Sequence, residues 1–316
     1  MKLTRRTICT AGLLTLGAVT MAIAQPPQGP PMRRHSVTQS RGKLPLVPSR
    51  SRPKEKPDVE IKVEGEYRVI RANGIPDHKT GRFPNGGNPN PIRAQRYEFR
   101  IPAEPKEAEE ITPLVRQPLG IAVNGVPFDP GAAEFYLGKR DGPWQYEPLS
   151  GAIRLGIDMS HAHVQPSGAY HYHGLPTGLL DQVELSDKKH SPLVGWAADG
   201  FPIYAVYGFE KQSDAESSIV AVKSSYRLKQ GRRPGGIDQP GGTYDGTFVA
   251  DYEHVPGTGN LDECNGRHCV TPEFPEGTYA YFLTEDWPVI PRAFRGTPSK
   301  DFERRGPEGR RRRPPR

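Results

Sequence analysis

The segment Ser160-His-Ala-His-Val-Gln-Pro-Ser-Gly-Ala-Tyr-His-Tyr-His-Gly174 holds four of the nine histidines of a 316-residue chain. His161 and His163 are two apart, as are His171 and His173. Residues two apart on a β-strand project from the same face. Gln165, Pro166, Ser167 and Gly168 between the pairs are turn residues. A hairpin centred on Ser167 sets position 163 opposite 171 and position 161 opposite 173, so the four imidazoles meet on one face. Ala162, Val164, Tyr170 and Tyr172 then take the other face, as suits a core. Imidazoles sharing a face can reach one ion at about 2.0 to 2.1 Å, and two facing pairs specify such a site better than one. Without an ion, crowded imidazoles repel as they protonate.

Other residues could join the set. Met159 shares the strand parity of His161 and His163, and thioether with imidazole suits copper, whereas imidazoles alone also suit zinc. Asp158 has the opposite parity, which argues against a ligand role. His190 is a further candidate ligand. Asp199, in Asp199-Gly-Phe-Pro-Ile-Tyr204, could orient a metal-bound imidazole or act as general base toward a metal-bound water. Cys264 and Cys269 lie five apart, and in an exported chain that spacing predicts a small disulfide loop. The competing reading makes Cys264, His268 and Cys269 metal ligands.

The elements that must position these residues read as short strands. Val59-Glu-Ile-Lys-Val-Glu alternates apolar and charged residues, and Tyr67 to Arg71 and Gln95 to Ile101 repeat the habit. Further strands are expected at Leu119 to Asn124, Gly151 to Ile157, Val194 to Ala197, Ile203 to Tyr207, Ser224 to Leu228, Tyr244 to Tyr252 and Gly277 to Leu283. Ala132 to Leu137 and Asp181 to Leu185 each suit a turn or two of helix. The fold class is therefore all-β, a β-rich sandwich or barrel-like single domain with long loops and few short helices. Gly168-Ala-Tyr-His-Tyr-His and Gly277-Thr-Tyr-Ala-Tyr-Phe share a frame, with histidines in the first copy alone.

Residues 1–24 read as a signal peptide: Lys2, Arg5 and Arg6, an apolar run from Ile8 to Ile23, then Ala22-Ile23-Ala24 as a cleavage site. Thr4-Arg5-Arg6-Thr7-Ile8 suggests the twin-arginine route as an alternative to ordinary secretion. Residues 25–58, rich in Pro, Arg and Ser, are expected to be a disordered linker, residues 59–300 the β domain, and residues 301–316 a disordered Arg-rich tail. The expected location is periplasmic or extracellular, with no transmembrane anchor after cleavage.

The net charge of +7 is unevenly spread. Three positive charges in residues 1–24, a net six in 25–58 and a net four in 301–316 leave six negative charges on residues 59–300. A body of that sign excludes specific nucleic-acid binding as the leading reading. The basic ends could instead touch an anionic cell-envelope surface. The sequence holds no serine nucleophile elbow, phosphate-binding glycine loop or dinucleotide fingerprint.

Tyr170-His-Tyr-His173, Asn124-Gly-Val-Pro-Phe-Asp129, Pro192-Leu-Val-Gly-Trp-Ala-Ala-Asp-Gly-Phe-Pro-Ile-Tyr204 and Leu261-Asp-Glu-Cys-Asn-Gly266 together resemble the YHYH domain family of exported proteins. The likeness spans roughly residues 100–298. It implies a secreted β-rich domain with a metal site and carries over no activity. Membership of Asp262 in the last motif makes it a further candidate at that site. Three functions follow as expectations: a protein that holds copper or zinc on His161, His163, His171 and His173 without turnover; a metal-dependent oxidoreductase or hydrolase using three of them with an open position; or a cell-surface structural or glycan-binding module with Trp144, Trp196 or Trp287 as its handles.

Overall fold

The computed structural model describes residues 44–115 and 117–303. The expected signal peptide, the first part of the linker and nearly all of the basic tail lie outside the described residues.

Among the described residues, seventeen strands and one short α-helix follow in chain order: β1 (Val59–Glu64), β2 (Tyr67–Ala72), β3 (Tyr97–Pro102), β4 (Glu107–Pro113), β5 (Gly120–Ala122), β6 (Pro127–Phe128), β7 (Ala162–Val164), β8 (Tyr170–Tyr172), α1 (Thr177–Gln182), β9 (Gly195–Ala197), β10 (Pro202–Ala205), β11 (Tyr207–Phe209), β12 (Ile219–Ala221), β13 (Tyr226–Leu228), β14 (Tyr252–His254), β15 (Gly266–Thr271), β16 (Phe274–Leu283) and β17 (Ala293–Gly296). The fold is all-β, as the alternation predicts. The main sheet is mixed and eight-stranded, in the order β15-β16-β10-β9-β5-β6-β8-β7, and β1-β2-β3 form a separate antiparallel sheet. Ile70, Phe99 and Ile101 of the small sheet share one core with Ile121, Tyr170, Tyr172, Tyr281 and Leu283 of the large one. Sheet faces sandwiched in this way remove apolar surface from water on a scale of about 25 cal/mol per Å².

Strand parity sorts residues between cores. On β16, Tyr279, Tyr281 and Leu283 enter the main core, while Ala280 and Phe282 join a second cluster with Tyr204, Leu261 and Cys269. The two repeated Gly-x-Tyr-x-Tyr frames thus have equivalent faces: Tyr170 and Tyr172 enter the same core as Tyr279 and Tyr281. Gly168 and Gly277 open them at φ values of 93° and 91°, a region that favours glycine.

Two expected strands are absent. Residues 151–157 run without ladder pairing because side chains and turns take their carbonyls: Asn88 Nδ2 donates to Leu155, Asn85 Nδ2 to Gly156, and the Val47 amide to Ile157. Between Tyr244 and Tyr252 only Tyr252 lies in a strand. There Asp251 accepts amide hydrogen bonds from Gly246 and Phe248 and folds the segment on itself. Residues 44–58, in the segment read as linker, pair with the domain where described, through Val47 with Asp158 and Ser51 with Thr80.

Candidate metal centre

β7 and β8 form the anticipated hairpin, with Ala162 opposite Tyr172, His163 opposite His171 and Val164 opposite Tyr170. Gln165 to Gly168 make its turn, closed by the Gly168 amide donating to the Gln165 carbonyl at 2.8 Å. Asp158 secures the entry to the hairpin. Its buried carboxylate accepts hydrogen bonds from the amides of Gly81 (2.9 Å) and Ser160 (3.0 Å) and from the Tyr170 hydroxyl (2.8 Å). Burial pushes its pKa up against the pull of these donors. Tyr172 is fixed from the other side. His78 Nδ1 donates to the Lys79 carbonyl, leaving Nε2 to accept the Tyr172 hydroxyl at 2.7 Å, and Asn124 Nδ2 donates to that hydroxyl at 2.9 Å. The tyrosines anchor the hairpin to the core and present the histidines on its opposite face.

Three of those histidines converge. Ring centroids are 4.7 Å apart for His163 and His171, 4.6 Å for His163 and His173, and 4.7 Å for His171 and His173, each pair edge to face. One nitrogen from each ring lies within 4.8 Å of the others. Backbone carbonyls orient two of the rings: Leu155 accepts from His163 Nδ1 at 3.0 Å and Ala169 from His171 Nδ1 at 3.2 Å. Protonated Nδ1 atoms leave the Nε2 lone pairs of both rings available. His171 Nε2 and His173 Nε2 are 3.1 Å apart. That separation suits one N–H shared between two neutral rings, and it is near the roughly 3.3 Å of two nitrogens about 2.0 to 2.1 Å from one tetrahedral ion.

His171 and His173 are buried, whereas His163 is partly exposed. Burial, reinforced by His163, His171 and Arg292, holds His173 well below the usual imidazole pKa. Its Nδ1 makes no hydrogen bond of normal geometry, although the Pro130 carbonyl acts weakly in the opposite sense on its pKa. Neutral imidazoles with convergent ring nitrogens fit a cationic transition metal. Among the described residues no carboxylate or thiolate joins the set.

The expected fourth histidine stands apart. The His173 amide does donate across to the His161 carbonyl at 2.7 Å. But His161 precedes the strand with φ of 51°, and its Nδ1 donates to the Leu175 carbonyl at 2.8 Å. Strand parity fails there because the chain is still turning around Asp158. For the same reason Met159 is not on a strand, and it is 46% exposed.

The remaining candidates lie elsewhere. His190 is packed against Tyr204, Phe209 and Phe282, its Nδ1 donating to the Ser191 carbonyl. Asp199 is buried and accepts from the Tyr281 hydroxyl and the Gly296 amide (2.9 Å), so it ties β16 to β17. Asp262 accepts from the amides of Cys264 and Gly266 and from the Tyr279 hydroxyl, and His268 pairs with Glu107 at 2.7 Å. Both line a cleft of about 620 Å³, which contains none of the three convergent histidines. Cys264 and Cys269 form no disulfide, which corrects the spacing argument. Cys264, in the turn before β15, belongs to the main core, and Cys269, on β15, to the second cluster.

Sequence reasoning overlooked His78, the partner of Tyr172, because a single histidine in a turn-rich loop carries no pattern. It set Asp158 aside as a ligand without finding its anchoring role. The spacing Asp158-x-Ser160 was the available signal, since aspartate often bonds the amide two residues on.

An all-β sandwich with an imidazole cluster on one hairpin defines a β-rich domain with a candidate metal centre. The family model for YHYH protein matches residues 98–296, and the chain belongs to that family. Comparisons with curated proteins and with solved structures find no match.

Proposed function

We propose that this chain is an exported metal-binding protein that holds a copper or zinc ion on His163, His171 and His173. The observation that carries the reading is the convergence of their ring nitrogens within 4.8 Å, on rings oriented by carbonyls of the surrounding fold. Exposure of the Met159 thioether removes the feature that favoured copper, and three imidazoles serve either metal. An ion held there would act as a Lewis acid or, if copper, as a one-electron centre. The chain's own part is to keep the imidazoles neutral, fix their tautomers and shield two of them from water. Export rests on residues 1–24, and no helix among the described residues is long and apolar enough to cross a membrane. The basic ends would touch an anionic envelope surface.

Metal content of the purified full chain, compared with a His171→Ala/His173→Ala variant, tests the reading. A stoichiometric load that disappears in the variant is expected; equal, negligible loads would overturn it.

The presence of three protein ligands favours a second reading, a metal-dependent enzyme with an open coordination position. Azide added to the copper- or cobalt-loaded protein should shift its visible spectrum if that position is accessible. An unchanged spectrum leaves binding without turnover.

A further inference from the structure

A second site lies away from the histidine cluster. Tyr136, Lys139, Asp141, Trp144, Asp238 and Gln239 line a groove of about 280 Å³. Phe248, itself buried, anchors both aromatic residues from behind: its ring stands edge to face with Tyr136 at 6.0 Å and with Trp144 at 5.6 Å. Both rings are half-buried, so each keeps surface toward solvent. Leu137, between Tyr136 and Gly138, is 60% exposed in a left-handed conformation with φ of 53°, an unfavourable state for a branched residue.

The polar groups narrow the chemistry. Lys139 pairs with Asp238, so among the described residues lining the groove the one cation is compensated and an anionic ligand has no counterpart. Asp141 and Gln239 are exposed, and among the described residues neither their side chains nor Trp144 Nε1 make a hydrogen bond. Rigid aromatic faces flanked by a carboxylate and an amide match a ligand with apolar C–H faces and neighbouring hydroxyls. A protein partner would need an interface of about 1,000 Å² or more, larger than this local feature supplies.

We propose that the groove binds a neutral polysaccharide, with sugar rings stacked on Trp144 and Tyr136 and hydroxyls held by Asp141 and Gln239. Trp144 and Tyr136 pack against the small core that contains Leu155, whose carbonyl orients His163, so groove and histidine cluster share a supporting element. Binding at the groove does not depend on the metal reading.

The test is native gel electrophoresis of the full chain in gels containing dextran, a mixed-linkage β-glucan, arabinoxylan or galactomannan. Retardation by at least one polysaccharide is expected, weakened about tenfold by Trp144→Ala, the equivalent of about 1.4 kcal/mol. An Asp141→Ala/Gln239→Ala variant, whose side chains lie at the exposed rim, should weaken binding while keeping the circular dichroism of the parent. The His171→Ala/His173→Ala variant should bind as the parent does. No retardation in any gel overturns the proposal. So does retardation that persists at parental strength in the Asp141→Ala/Gln239→Ala protein.

Discussion

At the scale of residues, side-chain direction separates candidate ligands from bystanders that share a motif. His161 belongs to the same His-x-His spacing as His163, yet its positive φ and its bond to Leu175 remove it from the set. His161→Ala should therefore retain at least about nine-tenths of the parental metal load, while His163→Ala loses most of it, because only the latter removes one of the three proposed ligands. Comparable losses in both, measured by elemental analysis, would restore the four-histidine site. His190 tests a different consequence of burial. It lies among Tyr204, Phe209 and Phe282, with Arg267 pushing its pKa down and Glu273 pulling it up, and burial is the largest effect, holding it below its usual 6.5. The folded state keeps this ring neutral while the unfolded chain protonates it. Stability should therefore fall as pH drops through about 6.5 toward the lower folded-state pKa, and the slope should flatten below that. Denaturation midpoints of His190→Phe should lose part of this slope between about pH 7.5 and 5. An identical slope in the two proteins would show that His190 binds its proton equally well in the folded and unfolded chains.

At the scale of elements, the hairpin works because its two faces are held by different partners. The Tyr172 hydroxyl sits between His78 and Asn124 in the core, on the face away from the ligands. Tyr172→Phe removes both hydrogen bonds and leaves His78 Nε2 and Asn124 Nδ2 to find others. A cost of about 1–3 kcal/mol is expected in chemical denaturation, with metal stoichiometry unchanged. A variant as stable as the parent would mean that water replaces the hydroxyl without loss. The hairpin was legible in the sequence because alternation and turn chemistry are local: His163 opposite His171 follows from spacing around Ser167. The departure at His161 was not, because it depends on Asp158, whose carboxylate reaches Gly81 across 77 positions of chain. Residues 151–157 have a strand's composition but run without ladder pairing, and the Leu155 carbonyl among them orients His163. A side-chain donor from another segment can outcompete a ladder, and no periodicity records that competition.

At the scale of the whole molecule, β16 separates two buried clusters, and which of them each cysteine enters decides what the cysteines do. The sequence places Cys264 and Cys269 close together, and spacing alone favours a covalent loop. The main sheet instead sends Cys264 into the core shared with Tyr279 and Tyr281, and Cys269 into the cluster with Tyr204 and Phe282. Burial raises the pKa of both thiols, so they remain protonated and poorly nucleophilic. Stability then comes from packed surface and from buried tyrosine–carboxylate contacts such as Tyr170 with Asp158 and Tyr281 with Asp199. A reductant should leave the melting temperature within about 1 °C of its value without one, since loss of a native disulfide costs about 2–5 kcal/mol and would lower it by several degrees. A thiol reagent should modify Cys264 and Cys269 only after denaturation, as read by peptide mapping. A melting temperature that drops under reducing conditions, with the two cysteine peptides recovered joined, would show that oxidation draws Cys264 and Cys269 out of their separate clusters and repacks β15.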